Sequence, residues 1–297
     1  MIALISMVFA VQLDAEMVPC PLGEGQAKVY HRISENTVGG YDSDFASYGS
    51  GGQWREYSIA TCMPSLLTLF GGDMALPIPE GKKAAVQAAL NRVVAALPNR
   101  EDPQLWERYG IAAAVYEALG KDEMFLGNLW MQASWTARDA AVGLYNGLSG
   151  PQTARKLLDG GIEELKKNLS VVDRKNVLYN LARVAQRGGW STERDGYLAN
   201  FEALGLDSRE KSALARFREL SQKVEPDLQE KALAQYRAAL RKGGLGEEEL
   251  QVRYLCADLA RRLGRFPEAK ADFEAVVAGK APEELKELSR FFLGLGR

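Results

Sequence analysis

The stretch from Leu250 to Val277 constrains the fold of this chain more than any other. Val252, Leu255, Cys256, Leu259, Ala260 and Leu263 recur at i, i+3, i+4, i+7, i+8 and i+11, the spacing of one helix face. Gly264 and Arg265 interrupt the pattern. Phe266, Ala269, Phe273, Val276 and Val277 then begin a second apolar stripe, with Pro267 where a first helical turn tolerates proline. A helical pair of this kind buries only half of its apolar surface against itself. It needs neighbours of the same kind, so the residues before it read as further helices stacked on it.

Glycine and proline place the junctions. Gly150-Pro151, Gly188-Gly189, Pro226, Gly243-Gly244 and Pro282 punctuate residues 81–297. The helices between them are expected near 82–96, 103–119, 123–145, 151–169, 173–187, 191–204, 208–221, 227–242, 247–263, 266–278 and 281–293. Gly120, Gly189 and Gly264 each end the first helix of a pair. They lie 69 and 75 residues apart, close to twice a tetratricopeptide period of roughly 34. The expected fold is mostly α: an irregular tetratricopeptide-like array preceded by a small antiparallel β module over residues 16–80.

Within that module Ala27, Val29, His31 and Ile33 alternate with polar residues as one face of a strand. His31 is therefore expected to be a hydrogen-bonded core histidine rather than a metal ligand. Thr37 to Gly52 is glycine-rich and turn-like around Tyr41-Asp42-Ser43-Asp44-Phe45. Asp42 and Asp44 begin like a calcium loop, but Ala46 stands where the next oxygen ligand belongs, so local Asx turns are expected instead. Trp54 to Thr61 resumes strand character. Cys20-Pro21-Leu22-Gly23 and Cys62-Met63-Pro64-Ser65 are two cysteine turns. Each resembles half of a zinc ribbon, with Gly23 and Ser65 where the second thiolate of each pair would be.

Composition removes several function classes. The net charge of −2 supplies no field toward nucleic acid or an anionic membrane. A single histidine leaves little scope for zinc hydrolysis or imidazole acid–base chemistry. An enzyme using Asp42 and Asp44 with His31 lacks a spaced nucleophile–base pair. Gly81-Lys82-Lys83 lacks the upstream glycine and the following hydroxyl of a phosphate loop. The runs Glu163-Glu164, Glu247-Glu248-Glu249 and Glu283-Glu284 fall in first helical turns, where they favour the helix dipole. Trp106, Trp130, Trp135 and Trp190 fit core positions, and Cys256 reads as a packed thiol. No segment reaches the ~20 apolar residues that a membrane span needs. Ile2 to Ala10 is nearly all apolar and ends in Val8-Phe9-Ala10, so residues 1–15 are expected to contain a cleavable export signal.

Cys20-Pro21, Asp42-Ser43-Asp44-Phe45, Tyr57 and Cys62, followed by Glu107-Arg108-Tyr109 and Leu129-Trp130-Met131-Gln132-Ala133-Ser134-Trp135, carry a resemblance. The chain is similar to an uncharacterised bacterial family, domain-of-unknown-function family 2225. That family joins a Cys-Pro-x-Cys zinc-ribbon-like module to a tetratricopeptide-like tail. The resemblance covers most of the chain and implies no known activity. Without cysteines at 23 and 65 its metal role does not carry over, and no cofactor is expected. A ribbon brings its two cysteine turns to one point, so Cys20 and Cys62 are expected to form a disulfide in an oxidising compartment.

Aligning Gly189 with Gly264 sets Tyr179, Arg183 and Arg187 beside Tyr254, Asp258, Arg261 and Arg262 as one exposed stripe. Tyr and Arg anchor interfaces. The expected function is a non-enzymatic scaffold or adaptor, exported, that holds an unknown protein or peptide in a helical groove through Tyr179, Arg183, Arg187, Tyr254, Arg261 and Arg262. The alternative is a ribbon-type metal- or nucleic-acid-binding module with a helical tail.

Overall fold

The computed structural model describes residues 12–23, 25–49, 52–143 and 148–296. The apolar run Ile2–Ala10 lies outside them. The described chain is mostly helical, with a small antiparallel β module near its N-terminus. It divides into two compact units. One takes 12–41 and 47–122. The other takes 42–46, 123–143 and 148–296.

In the first unit, β1 (Gln12–Pro19) pairs antiparallel with β2 (Gln26–Ser34), with Val18 opposite Ala27 and Glu16 opposite Val29. After the short β3 (Gly40–Tyr41), β4 (Ile59–Thr61) pairs antiparallel with β5 (Thr68–Phe70). Trp54–Glu56 is a 3-10 turn rather than the expected start of a strand. A single helical turn, α1 (Gly71–Met74), leads to α2 (Glu80–Ala95) and α3 (Leu105–Leu119). The compact unit thus ends near Asp122 instead of residue 80. The physical tie is α3: Tyr109 Oη donates to the Arg55 carbonyl (2.7 Å) and lies 2.8 Å from Ser58 Oγ, while the Phe70 amide donates to Tyr116 Oη (2.9 Å). These buried hydroxyls need partners, and the β module supplies them.

Cys20 and Cys62 stand at disulfide distance, with Cα atoms 5.9 Å apart. His31 departs from its expected place. β2 is covered as far as Val29 (2% exposed), but Ile33 is 66% exposed and His31 faces solvent, where Nε2 lies 2.8 Å from Glu16 Oε1. The alternation continues past the point where the sheet has anything to cover it.

The second unit contains α4 (Glu123–Val142), β6 (Leu148–Ser149), α5 (Pro151–Leu165), α6 (Val171–Gly188), α7 (Ser191–Ala203), α8 (Ser208–Glu219), α9 (Glu225–Lys242), α10 (Glu249–Arg262), α11 (Phe266–Ala278) and α12 (Glu283–Leu295). The apolar stripes read from Leu250 onward build one of its cores. Val252, Leu255, Cys256, Leu259 and Ala260 of α10 meet Ala269, Phe273 and Val276 of α11, with Phe292 beyond. Burial pushes the Cys256 thiol up to about 12, so it is un-ionised at neutral pH. A second core joins Leu178 and Ala182 of α6 to Leu198 and Phe201 of α7 and to Leu214 and Phe217 of α8. Helix α4 lies against α9, and a Cβ at Gly127 would meet the Tyr236 ring at 2.7 Å, so only glycine permits that approach.

Candidate functional site

Five residues, Asp42–Ala46, leave the first unit's order of chain and belong to the second. The Asp42 amide donates to the Ala46 carbonyl (2.9 Å), and the Phe45 amide donates to the Asp42 carbonyl (3.1 Å), closing a tight loop. Phe45 has φ +68°, a left-handed conformation that costs a non-glycine residue free energy. Its surroundings hold it there: the Phe45 ring stacks on Tyr254 at 5.3 Å, and Tyr254 Oη donates to the Ser43 carbonyl (2.9 Å).

Four arginines from three helices grip this loop and the acids beside it. Arg138 of α4 donates from Nη1 to Asp42 (2.8 Å) and Asp44 (3.0 Å), from Nη2 to Asp44 (2.5 Å), and from Nε to Glu225 of α9 (2.8 Å). Arg187 of α6 donates from Nε to the other oxygen of Asp42 (2.7 Å). From α10, Arg261 and Arg262 both donate to Asp258, at 2.7 and 2.8 Å. Ser43 Oγ sits at the centre of the α10 group. It donates to Asp258 (3.0 Å) and accepts from Arg262 Nη2 (2.8 Å). Arg138 and Asp44 are each 0% exposed, and the remaining charged members are all buried.

Carboxylates this deep ionise only because cations adjoin them. Burial alone would raise Asp44, but the guanidiniums of Arg138 and Arg262 hold it well below the usual carboxylate range. Asp258 is likewise raised by burial and then lowered further by Arg261 and Arg262. Glu225 goes the other way. Burial pushes it up, and Arg138 and Arg262 offset that only in part. Four acids face four arginines, so the cluster is electrically balanced. Such a cluster adds little net stability over apolar packing, yet removing one member leaves an unpaired buried charge. Its consequence is a fixed geometry for Asp42–Ala46 and for the ends of α4, α6, α9 and α10.

Two backbone features bring those ends together. Gly189 caps α6 with φ +72°, and a Cβ there would meet Arg262 Cγ at 2.6 Å. Arg261 therefore reaches the carbonyls of Gly188 and Gly189, at 3.0 and 3.1 Å. Between α8 and α9 the chain makes a π turn, Leu220–Val224. Pro226 cannot donate to the carbonyl of Gln222 and its ring would crowd that carbonyl, and a wider turn relieves both.

The π turn, the start of α9, the end of α6 and the start of α7 enclose a polar pocket of about 360 Å³. Arg194 forms part of its wall, donating to Gln186 Oε1 (2.7 Å), to the Ser221 carbonyl (2.9 Å) and to Asp195. Gln186 and Gln229 donate in turn to Glu225, which links the pocket to the ionic cluster. Ser221 Oγ is buried and has no hydrogen-bond partner.

The expected exposed stripe is thereby corrected. Arg187, Tyr254, Asp258, Arg261 and Arg262 are buried, and their partners are the chain's own Asp42 to Asp44 and one another. Tyr179 is half-buried between Phe201 and Phe217. Arg183 remains part-exposed, donating to the Val142 carbonyl. The Asp42 and Asp44 carboxylates answer chiefly to arginines, with one long local contact from the Ala46 amide (3.4 Å) in place of a set of Asx turns. Arg138, Glu225, Gln186 and Arg194 had no place in the sequence reading. One signal was present: Arg187 stands two residues before Gly189, and Arg262 two before Gly264. Among the described residues no cluster of three or more His, Cys, Asp or Glu is arranged for a metal ion, and no helix is long and apolar enough to cross a membrane.

No family model matches this chain, and neither a curated protein nor a solved structure does.

Proposed function

We propose that this chain is a non-enzymatic interaction protein, exported from the cell, that holds a protein or peptide partner against a tetratricopeptide-like helical array. The observation that carries the reading is the polar pocket at the rim of the ionic cluster. Four helix ends are locked by balanced charge pairs, and the space they leave is lined by groups of which Ser221 Oγ is buried without a partner. Rigid elements that present unsatisfied polar groups to a cavity are suited to recognition. Helical pairs α6–α7 and α10–α11, each with a left-handed glycine at the junction, support the repeat character. The Cys20–Cys62 pair supports an oxidising compartment, and the resemblance to the ribbon-and-repeat family is consistent with both.

The test is a filled pocket. Ser191, at the first position of α7, lines the cavity without holding the cluster together. The Ser191→Trp protein is expected to keep its thermal midpoint and lose capture of the partner that the wild-type chain retains from its native organism. Equal capture by both proteins would reject the pocket as the partner site.

A further inference from the structure

We propose that the pocket between α6, α7 and α9 is built for an amide group, the main chain of an extended peptide segment. This rests on the interaction reading above and names what that site takes. The argument is an inventory of groups. The charges at the pocket are already matched: Arg194 with Asp195, Glu225 with Arg138, Arg262 with Asp258. A charged ligand would leave one of these pairs unbalanced, so the occupant is neutral. What remains unused is polar and uncharged in its demands. Arg262 spends Nε on Asp258 and Nη2 on Ser43 and the Arg187 carbonyl, which leaves Nη1, beside Gly189, as a donor. Gln229 gives its amide nitrogen to Glu225, and Gln222 gives its own to Asp195, so each has its Oε1 left as an acceptor. The Ser221 hydroxyl, buried and unpartnered, can donate or accept.

A ligand must therefore offer an acceptor to a guanidinium and an N–H to a carboxamide within one pocket. A peptide unit carries both in fixed geometry. A sugar offers hydroxyls and normally rests on an aromatic face, and among the described residues no aromatic side chain lines this pocket. Leu263 and Pro226 supply the apolar surface against which the carbon atoms beside an amide can lie. The π turn has a part in this. It widens the backbone where Ser221 and Gln222 sit, and such turns recur at functional sites. An unsatisfied buried hydroxyl is a standing cost in the free protein, and a ligand hydrogen bond removes it.

The experiment is an NMR titration of the full chain, following the side-chain amide signals of Gln222 and Gln229. The probes are the blocked, uncharged tripeptide N-acetyl-Ala-Gln-Ala-amide, glucose, and sodium acetate. The tripeptide is expected to shift both signals saturably, while glucose and acetate leave them in place. Ser221→Ala is expected to weaken tripeptide binding about fivefold, the equivalent of one hydrogen bond. Its thermal midpoint should be unchanged or raised, because the hydroxyl it removes has no partner in the free protein. Saturation by glucose or acetate, no saturable shift with millimolar tripeptide, or wild-type affinity in Ser221→Ala would each overturn the amide assignment. Loss of partner capture in Ser191→Trp together with a silent tripeptide titration would remove the amide assignment and leave the interaction reading standing.

Discussion

The two units are held together by devices of opposite kind. The first unit has short strands, α2 and α3, and a cross-link between Cys20 and Cys62 that spans 42 residues of sequence. Its buried polar side chains include Gln53, Arg55, Ser58 and Tyr109, which bond to backbone groups or to one another. The second unit has ample apolar packing in α10, α11 and α12, and in addition buries four acids and four arginines. A covalent tie stabilises chiefly by restricting the unfolded chain and is indifferent to which conformation it closes. A buried charge cluster does the reverse. It contributes little net free energy, but any arrangement that separates its members is heavily penalised. The first device supplies stability where area is scarce, and the second supplies uniqueness where area is sufficient. In this molecule the cluster specifies where one short segment, Asp42–Ala46, must lie.

The largest expected effect breaks that contrast from the side of the charges. Arg138→Leu strips a cation from Asp42, Asp44 and Glu225 at once. It should destabilise the second unit at the upper end of about 3–5 kcal/mol, read from urea unfolding. A loss below about 1 kcal/mol would mean that the acids find other partners and that the cluster is not the constraint described. Next comes the cross-link. Reduction of Cys20–Cys62 should cost the first unit about 3–4 kcal/mol by the chain-entropy relation and leave the helical signal of the second unit nearly intact. Thiol titration of the denatured, unreduced protein should find one free group, Cys256. Three free groups would remove the cross-link from the comparison.

Acidity sharpens the same contrast at smaller amplitude. Asp44 and Asp258 have folded values below their unfolded ones. Their contribution is therefore complete above an unfolded aspartate value of about 3.9 and is lost as pH falls through the lower folded values. Glu225 is raised, so its contribution is complete below its unfolded value and fades as pH climbs through the folded one. Two groups against one should leave the second unit weaker in strong acid than at pH 6, by on the order of 1–2 kcal/mol. Glu225→Gln should flatten the opposing limb above pH 4.5 or so, where unfolded glutamate ionises. A urea midpoint that does not move between pH 6 and strong acid would contradict the assignment of depressed aspartates.

The smallest effect belongs to Arg183→Ala. Arg183 is part-exposed, and its bonds include the Val142 carbonyl and the Asn180 side chain rather than a buried acid, so its loss should change stability by within about 0.5 kcal/mol. The contrast with Arg138 shows what could be read in the sequence and what could not. Apolar periodicity located the helices because burial of a helix face leaves a period in the same stretch of chain, as in Val252 to Leu263. The junctions at Gly189 and Gly264 followed for local conformational reasons. The cluster left no such local mark. Arg187, Arg261 and Arg262 have the spacing of a surface stripe, yet Arg187 finds Asp42 across 145 residues of sequence, and Arg262 finds Ser43 across 219. A charged residue on a helix is usually solvated, and only a distant acid of matching geometry makes it an interior one. The π turn was also hidden, because Pro226 ordinarily signals a new helix rather than a continuous one with a wide turn. His31 failed for a simpler reason. Strand alternation reports which residues share a face, but not how far along the strand that face is covered.

The account turns on the claim that Asp42–Ala46 is fixed by the arginines of the second unit. A double-mutant cycle between Asp44→Asn and Arg138→Gln, followed by urea unfolding, tests it most directly. Residues coupled in one buried network should show an interaction free energy of about 2–3 kcal/mol, with the double mutant markedly more stable than the two single losses added together. Additive losses, within about 0.5 kcal/mol, would contradict the claim and return the Asp-Ser-Asp segment to an ordinary surface turn.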